Sequence, residues 1–204
     1  MAPRAYRLGK RAAAVEETRA RIIEAARDVI SSSGFHRMSV DQVADLSGVT
    51  RATVYYQFGS KLGLFEAIAS DFERRAGHER FDALWRLRPA EMLPAFFRET
   101  VRFWATDPIL VRHIVGLAAI DDDARRVAEA HDAGRRADLR AMIDRLAGEG
   151  LLRTGVNPDH ATTVLWLLSS FEAFDQLRNR SSLSLRATTR TLIELSQAIT
   201  QPLA

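Results

Sequence analysis

The segment VTRATVYYQFGSK, residues 49–61, contains side chains that can bind nucleic acid. If the segment is helical, Arg51 lies one turn from Tyr55 and Ala52 lies one turn from Tyr56, so all four share a face. An arginine can donate two hydrogen bonds to guanine O6 and N7, and an alanine methyl can contact the methyl group of thymine. Tyrosine hydroxyls can reach phosphate oxygens, which position a protein on DNA without specifying sequence.

Two further polar residues of this segment suit a phosphate backbone. The hydroxyl of Thr53 can bond a phosphate oxygen. Lys61 stands at the start of the next predicted helix, where a cation opposes the helix macrodipole. A bound phosphate would remove this conflict, because the lysine and the helix end would both face an anion.

The local composition of the segment favours a β-strand, since Val, Thr and Tyr are strand formers. The flanking residues favour a helix instead. Ala44, Gly48 and Val54 have the spacing of a helix-turn-helix, and Val54 with Phe58 forms an inward face. Thr50 is the predicted cap of this helix. A helix this short is marginal alone in water, so we expect tertiary packing to hold it.

Two predicted helices precede the segment. Residues 17–33 carry one apolar stripe and end at Gly34. Ser39, followed three residues later by Gln42, is a capping box that starts a second helix, which ends at Gly48. These signals predict a three-helix unit.

Composition excludes several classes of protein. With 47% hydrophobic and 27% charged residues among 204, the chain is globular, and it has no apolar run long enough for a membrane span. The N-terminus lacks the apolar core of a secretory signal, so we expect a cytoplasmic protein. The chain has no cysteine, its five histidines lack metal-ligand spacing, and no HExxH, GxSxG or phosphate-binding glycine loop is present. We therefore predict a non-enzymatic protein without a cofactor or metal.

The stretch MSVDQVADLSGVTRATVYYQFGSKLGLF, within residues 17–65, resembles the N-terminal DNA-binding domain of the tetracycline-repressor (TetR) family of transcriptional regulators. The resemblance implies that the second helix of the motif enters the major groove, with Arg51 and Ala52 reading bases. Gln57 departs from the family pattern, in which histidine is frequent, and Leu62 stands where an acidic residue is common. The predicted DNA-binding set is Ser39, Thr50, Arg51, Ala52, Thr53, Tyr55, Tyr56 and Lys61.

The remainder of the chain also has helical periodicity, so we predict an all-α fold of about nine helices. The expected organisation is a disordered basic arm over residues 1–16, a helix-turn-helix domain over 17–62 and a larger helical domain over 63–204. The basic excess lies at the front, since residues 1–61 contain ten Lys and Arg against six Asp and Glu.

The resemblance implies a ligand cavity in the larger domain. Aromatic residues at helical spacing are usually core, and this alternative stays open. A pocket lined by them would suit an apolar or aromatic small molecule. The candidate ligand-binding residues are Phe96, Phe103, Trp104, His113, Trp166, Phe171 and Phe174.

A homodimer is predicted from the last two helices. Residues 158–177 are apolar around most of the predicted helix, which is more than one core face needs. With residues 184–200 they can form a two-fold four-helix interface, as the resemblance also implies. Two recognition helices could then reach successive major grooves of a palindromic operator, roughly 34–36 Å apart.

These features together predict a dimeric transcriptional regulator, a repressor that a small ligand releases from its operator. Two other functions remain open at this stage. One is a structural DNA-binding protein without effector control. The other is a ligand-binding or enzymatic helical domain with a vestigial helix-turn-helix.

The basic arm generates a first prediction. If Arg4, Arg7, Lys10 and Arg11 enter the minor groove, deleting residues 2–11 will weaken operator binding and flatten its dependence on salt. Binding measured over several salt concentrations checks this. Unchanged affinity and slope would exclude a role of the arm in DNA contact.

Overall fold

A computed structural model describes the backbone of residues 4–200 and the side chains of residues 12–200. Over these residues the chain is helical and contains no strand beyond an isolated antiparallel bridge between Leu152 and Thr200. The predicted all-α class is confirmed. None of the helices in this range combines the length and apolar character needed to cross a membrane.

Ten α-helices form the fold of the described residues, joined by short turns. Two 3-10 segments cover Phe35–Arg37 and His78–Arg86, and a π-helical turn covers Gln176–Arg180. The α-helices are α1 (Arg4–Ser33), α2 (Val40–Ser47), α3 (Arg51–Phe58), α4 (Lys61–Ala76), α5 (Pro89–Ala105), α6 (Pro108–Ala118), α7 (Asp122–Gly148), α8 (Pro158–Leu168), α9 (Phe171–Asp175) and α10 (Leu185–Ser196).

The chain divides into two compact units. The first comprises the residues up to Phe72 together with His113–Arg125, and the second comprises Glu73–Arg112 and the residues from Arg126 onward. Helices α4, α6 and α7 each begin in one unit and end in the other. The predicted boundary at residue 62 was based on the motif alone and stays a prediction.

Helix α1 is longer than the sequence analysis indicated. It begins at Arg4, so it includes residues 4–16, for which the sequence predicts a disordered arm. Three consecutive alanines, Ala12–Ala14, have the highest intrinsic helix propensity and extend the helix toward the N-terminus. The side chains of the basic residues in the arm lie outside the described residues.

Local capping signals determine where α2 and α3 begin. The Ser39 side chain accepts a bond from the Gln42 amide while the Gln42 side chain accepts one from the Ser39 amide, which is the predicted capping box. Gly48 ends α2 with a φ of 67°, a left-handed conformation that glycine adopts without a steric penalty. The Thr50 side chain then accepts from the Thr53 amide and starts α3.

A small apolar core holds the three-helix unit together. Ile22 and Ala26 of α1, Val43 of α2 and Val54 of α3 are all buried. Phe65 of α4 is buried as well and packs edge-to-face on Phe35, with ring centroids 5.2 Å apart. Burial of these side chains compensates for the low intrinsic stability of α3.

The larger unit is built around α5. Its residues Phe97 and Val101 are buried, as are Ile143 of α7, Leu165 of α8 and Leu192 of α10. Helix α10 packs along α5, and α8 and α9 pack in the same unit. The second unit therefore has a core of its own.

The predicted continuous helix over residues 158–177 is interrupted. Helix α8 ends at Leu168 with Ser169 as its C-cap, and the Ser170 side chain caps α9 by accepting a bond from the Ala173 amide. Partners from other helices bind the groups freed by the break. The Trp104 indole donates to the Ser169 carbonyl at 3.0 Å, and Arg135 donates to the Trp166 carbonyl at 3.0 Å. These distant partners explain why local periodicity did not reveal the break.

The first turn of α4 makes a close backbone contact at Gly63. A Cβ atom at this position would lie 2.1 Å from the Phe58 carbonyl oxygen, which is closer than any real Cβ contact. The Gly63 amide donates to the Ser60 hydroxyl at 2.9 Å, so the turn between α3 and α4 is tightly wound. Glycine therefore allows α4 to start directly after the C-terminus of α3.

We expect Gly63→Ala to destabilise the protein by about 1–3 kcal/mol, because the backbone around Phe58 must shift to admit a methyl group. Gly134→Ala in α7 is the matched control, since a Cβ there meets no atom within 4 Å. That variant should gain about 0.5–1 kcal/mol from helix propensity. Urea unfolding followed by circular dichroism at equal protein concentration compares the two. Equal stability of both variants would contradict the close contact.

Candidate nucleic-acid interface

Helix α3 has two distinct faces. Val54 and Phe58 are buried against the rest of the first unit, as the sequence indicated. Arg51 and Ala52 are exposed on the other side, and Tyr56 has 85% of its surface exposed. A large aromatic side chain so open to solvent contributes little to the core and is available for a partner.

Arg51 is held by two side chains. Its Nη1 donates to Asp41 Oδ2 of α2 at 2.7 Å, and its Nη2 lies 3.4 Å from the Tyr55 hydroxyl. The guanidinium carbon lies 5.5 Å from the centroid of the Tyr55 ring. The hydrogen bond from Arg51 to Asp41 raises the pKa of Arg51 above its ordinary value. Sequence reasoning missed Asp41, whose role depends on a contact between two helices.

Three hydroxyl groups that are predicted to contact DNA also form hydrogen bonds within the protein. Ser39 Oγ accepts from the Gln42 amide at 3.1 Å, and Thr50 Oγ1 accepts from the Thr53 amide at 3.2 Å. The hydroxyls of Thr50 and Thr53 are also 2.9 Å apart. Ser39 and Thr50 remain exposed, so their phosphate contacts stay predictions.

Lys61 has an internal partner at the start of α4. Its Nζ donates to the Phe35 carbonyl oxygen at 3.4 Å and lies 4.6 Å from the centroid of the Phe35 ring. The carbonyl dipole and the ring face stabilise the cation where the macrodipole opposes it. An external phosphate is therefore unnecessary to explain this lysine, and its contact with DNA stays a prediction.

The C-terminus of α3 is fixed by a residue of α1. Arg19 Nη1 donates to the Gln57 carbonyl at 2.9 Å, and the guanidinium lies 4.4 Å from the centroid of the Phe58 ring. Carbonyls at a helix end lack partners within the helix, and a cation there is favoured by the macrodipole. Arg19 thus fixes the orientation of α3. The sequence gives no signal for a contact between residues so far apart.

Six of the seven predicted ligand residues belong to the second unit. Phe96, Phe103, Phe171 and Phe174 are buried, whereas Trp104 and Trp166 are half-buried. The seventh, His113, belongs to the first unit and lies beside Gly34. A Cβ atom added to Gly34 would be 3.6 Å from Cε1 of the His113 ring.

Four of these aromatic rings form a continuous chain of contacts. Phe103 and Trp104 have centroids 4.8 Å apart, Trp104 and Phe171 5.7 Å, and Phe171 and Phe174 6.0 Å. Phe103 also contacts Phe81 at 6.0 Å, which the sequence analysis did not select. The chain of rings has the mutual packing of core aromatic residues, and ligand contact by these residues stays a prediction.

Trp166 belongs to a polar cluster on α7. Its indole donates to Asp132 at 2.7 Å, and Arg135 donates to the Trp166 carbonyl at 3.0 Å. The guanidinium of Arg136 lies 5.4 Å from the Trp166 ring centroid. This tryptophan links α8 to α7.

An open groove of about 410 Å³ lies between α5 and α10. The seven predicted ligand residues do not line it. Three arginines give it cationic character over a partly apolar floor. Its lining residues are Arg98, Val101, Arg102, Ala105, Thr106, Leu185, Arg186 and Thr189.

The geometry of α2 and α3 defines a helix-turn-helix DNA-binding protein: a short helix, a left-handed glycine turn and a second helix with a solvent-exposed polar and aromatic face. Residues 22–68 match the family model described as bacterial regulatory proteins, tetR family. The transcriptional regulator SrpR of Pseudomonas putida is 46% identical over 59 residues, which cover 29% of this chain and 28% of SrpR. The match to the tetR family therefore covers the helix-turn-helix region, residues 22–68.

The fold of the whole chain is similar to that of solved regulators. NalD of Pseudomonas aeruginosa, described as the secondary repressor of the MexAB-OprM multidrug efflux pump, has a TM-score of 0.74 at 24% identity over 92% of this chain and 99% of NalD. A putative transcriptional regulator of Saccharomonospora viridis, solved with choline, has a TM-score of 0.71 at 17% identity over 91% of this chain and 99% of that one. These likenesses show the fold, whereas the match to SrpR spans less than a third of that relative.

Replacing Arg19 with alanine should lower the free energy of unfolding by about 1–2 kcal/mol, because the Gln57 carbonyl loses a charged donor. Arg21→Ala is the matched control, since Arg21 is an exposed residue of the same helix. Its effect should stay within about 0.5 kcal/mol. Urea denaturation measures the free energy of unfolding of both variants, and the comparison is valid if the dependence of this free energy on urea concentration is the same for both. Equal losses for both variants would show that Arg19 does not stabilise α3.

Proposed function

We propose that the protein is a dimeric transcriptional repressor of the cytoplasm that binds a palindromic operator through α3 and dissociates when a small molecule binds the second unit. The observation that carries this proposal is the exposed face of α3, where Arg51, Ala52, Tyr55 and Tyr56 lie together over a buried apolar face. Arginine and alanine supply base contacts, and the tyrosine hydroxyls supply phosphate contacts. The protein acts by binding rather than by catalysis.

The dimer proposal is supported by apolar side chains on the predicted interface segments. Leu167 of α8 is 61% exposed, and Leu185 and Leu195 of α10 are 45% and 48% exposed. Burying such leucines between two copies is favourable. A two-fold dimer also presents two copies of α3 to a palindromic site.

The effector proposal is supported by the aromatic content of the second unit. The predicted residues around Trp104 and Phe171, whose ring centroids are 5.7 Å apart, would supply aromatic contacts to an apolar or aromatic molecule. The regulator from Saccharomonospora viridis was solved with choline, a small organic ligand. Such a ligand acts by a population shift, binding better to a conformation in which the two α3 helices do not match the operator spacing.

The continuous helices support coupling between ligand and DNA. Helix α4 starts beside α3 at Lys61 and ends in the second unit at Ala76, and α6 also contributes residues to both units. A ligand-induced shift of either helix would involve residues of both units. A ligand that binds both conformations equally would change nothing.

In the experiment, the purified protein selects DNA from the genome or from a random library. The affinity and sequence preference of the Arg51→Ala variant are then compared with those of the wild type. We expect a palindromic sequence, and Arg51→Ala should cost about 1–3 kcal/mol of binding and relax one base position. Arg27→Ala is the control, because Arg27 is an arginine paired with Glu24 on α1. An equal loss on all sequences would show that Arg51 contacts phosphate. Selection of no preferred sequence would favour a structural DNA-binding protein, and failure to bind DNA at several salt concentrations would favour a vestigial motif.

A further inference from the structure

We propose that Asp41 of α2 determines base specificity by fixing the guanidinium of Arg51 for hydrogen bonding to a single base. This assignment rests on the proposed function, because it presumes that α3 reads DNA. It adds a residue outside the predicted DNA-binding set. The structural observation is the 2.7 Å bond from Arg51 Nη1 to Asp41 Oδ2 across the two helices of the motif.

Asp41 is itself rigidly placed. It lies in the first turn of α2, between Ser39 and Gln42, the two residues that form the capping box. Its carboxylate is also favoured there by the positive end of the macrodipole. The backbone that carries Asp41 is therefore fixed by hydrogen bonds, and the carboxylate can transfer this order to Arg51.

The pair is poorly suited to a stabilising role. The side chains of Arg51 and Asp41 are 58% and 60% exposed, and ion pairs open to solvent contribute little to stability. The geometry instead indicates that Asp41 orients the side chain of Arg51. A free arginine loses its rotamer freedom when it binds a base, whereas Arg51 has already lost much of it to Asp41 and Tyr55.

The remaining donors of Arg51 suffice for a base. A guanidinium has five N–H donors, and Asp41 and Tyr55 engage one each. Each of the two terminal nitrogens keeps one free N–H, and Nε keeps its own. Two adjacent donors can therefore bind guanine O6 and N7 while Asp41 stays in place.

The carboxylate also decides which DNA group Arg51 prefers. A lone arginine is attracted to any phosphate, and that attraction carries no sequence information. Asp41 compensates the charge of Arg51 locally and repels phosphate, so the pair favours the neutral edge of a base. Asp41 thus increases discrimination between sequences while it lowers affinity for DNA in general.

The test compares wild type, Asp41→Asn, Arg51→Ala and the double variant. Asp41→Asn keeps the size of the side chain but removes its charge. Asp45→Asn is the matched control, because Asp45 is the other exposed carboxylate of α2. Binding is measured by fluorescence anisotropy on the site selected from random duplexes, on single-base-pair variants of that site, and on random duplex DNA. Circular dichroism verifies the fold of each protein.

We expect Asp41→Asn to reduce discrimination about fivefold at the base pair whose recognition Arg51→Ala abolishes, and at no other. Affinity for random DNA should stay equal or increase. The double variant should lose no more discrimination than Arg51→Ala, and Asp45→Asn should stay within about twofold of wild type at that base pair.

Two results would overturn the assignment. The first is unchanged discrimination in Asp41→Asn, and the second is an equal loss at every base pair, which indicates a general disturbance of the motif. In both cases the wild type still selects a sequence, so the proposed function stands. A wild-type protein that binds all duplexes equally would refute the proposed function and this assignment together.

Discussion

The DNA-binding surface depends on one constraint: α3 is too short and too rich in strand-forming residues to be stable alone. Neighbouring residues stabilise α3 at its start, along its inner face and at its end. Thr50 caps its first turn, Val54 and Phe58 anchor its inner face, and Arg19 binds the carbonyl of Gln57 at its end. The inner face and both ends are used in this way, and on the outer face Arg51 bonds to Asp41 and Tyr55.

Signals that act within a few residues could be predicted from the sequence. The capping box at Ser39, the end of α2 at Gly48, the cap at Thr50 and the two faces of α3 depend on local spacing, and the structure has each of them. The contacts that tune the site were not predictable in this way. Arg19 reaches Gln57, and Arg51 reaches Asp41, only after the helices have packed.

The second unit shows the same division between local and distant information. Helical periodicity identified its elements, but the interruption at Ser169 depends on groups from two other helices, Trp104 of α5 and Arg135 of α7. The aromatic residues chosen for a ligand site pack on one another. Periodicity identifies inward-facing aromatic residues, yet it cannot distinguish those that fill a core from those that border a ligand, since both face inward.

Two basic side chains, Arg19 and Lys61, contact neutral groups where they fix the position of α3 and α4. Arg19 and Lys61 each bind a backbone carbonyl and an aromatic ring rather than a carboxylate. A carbonyl carries a dipole and no net charge, so dissolved ions screen these contacts less than they screen the attraction between DNA phosphates and basic side chains. High ionic strength will therefore release the protein from DNA while the scaffold beneath α3 keeps its shape. The ionic-strength dependence of binding then reflects the charges at the interface with DNA, without a contribution from unfolding of the motif.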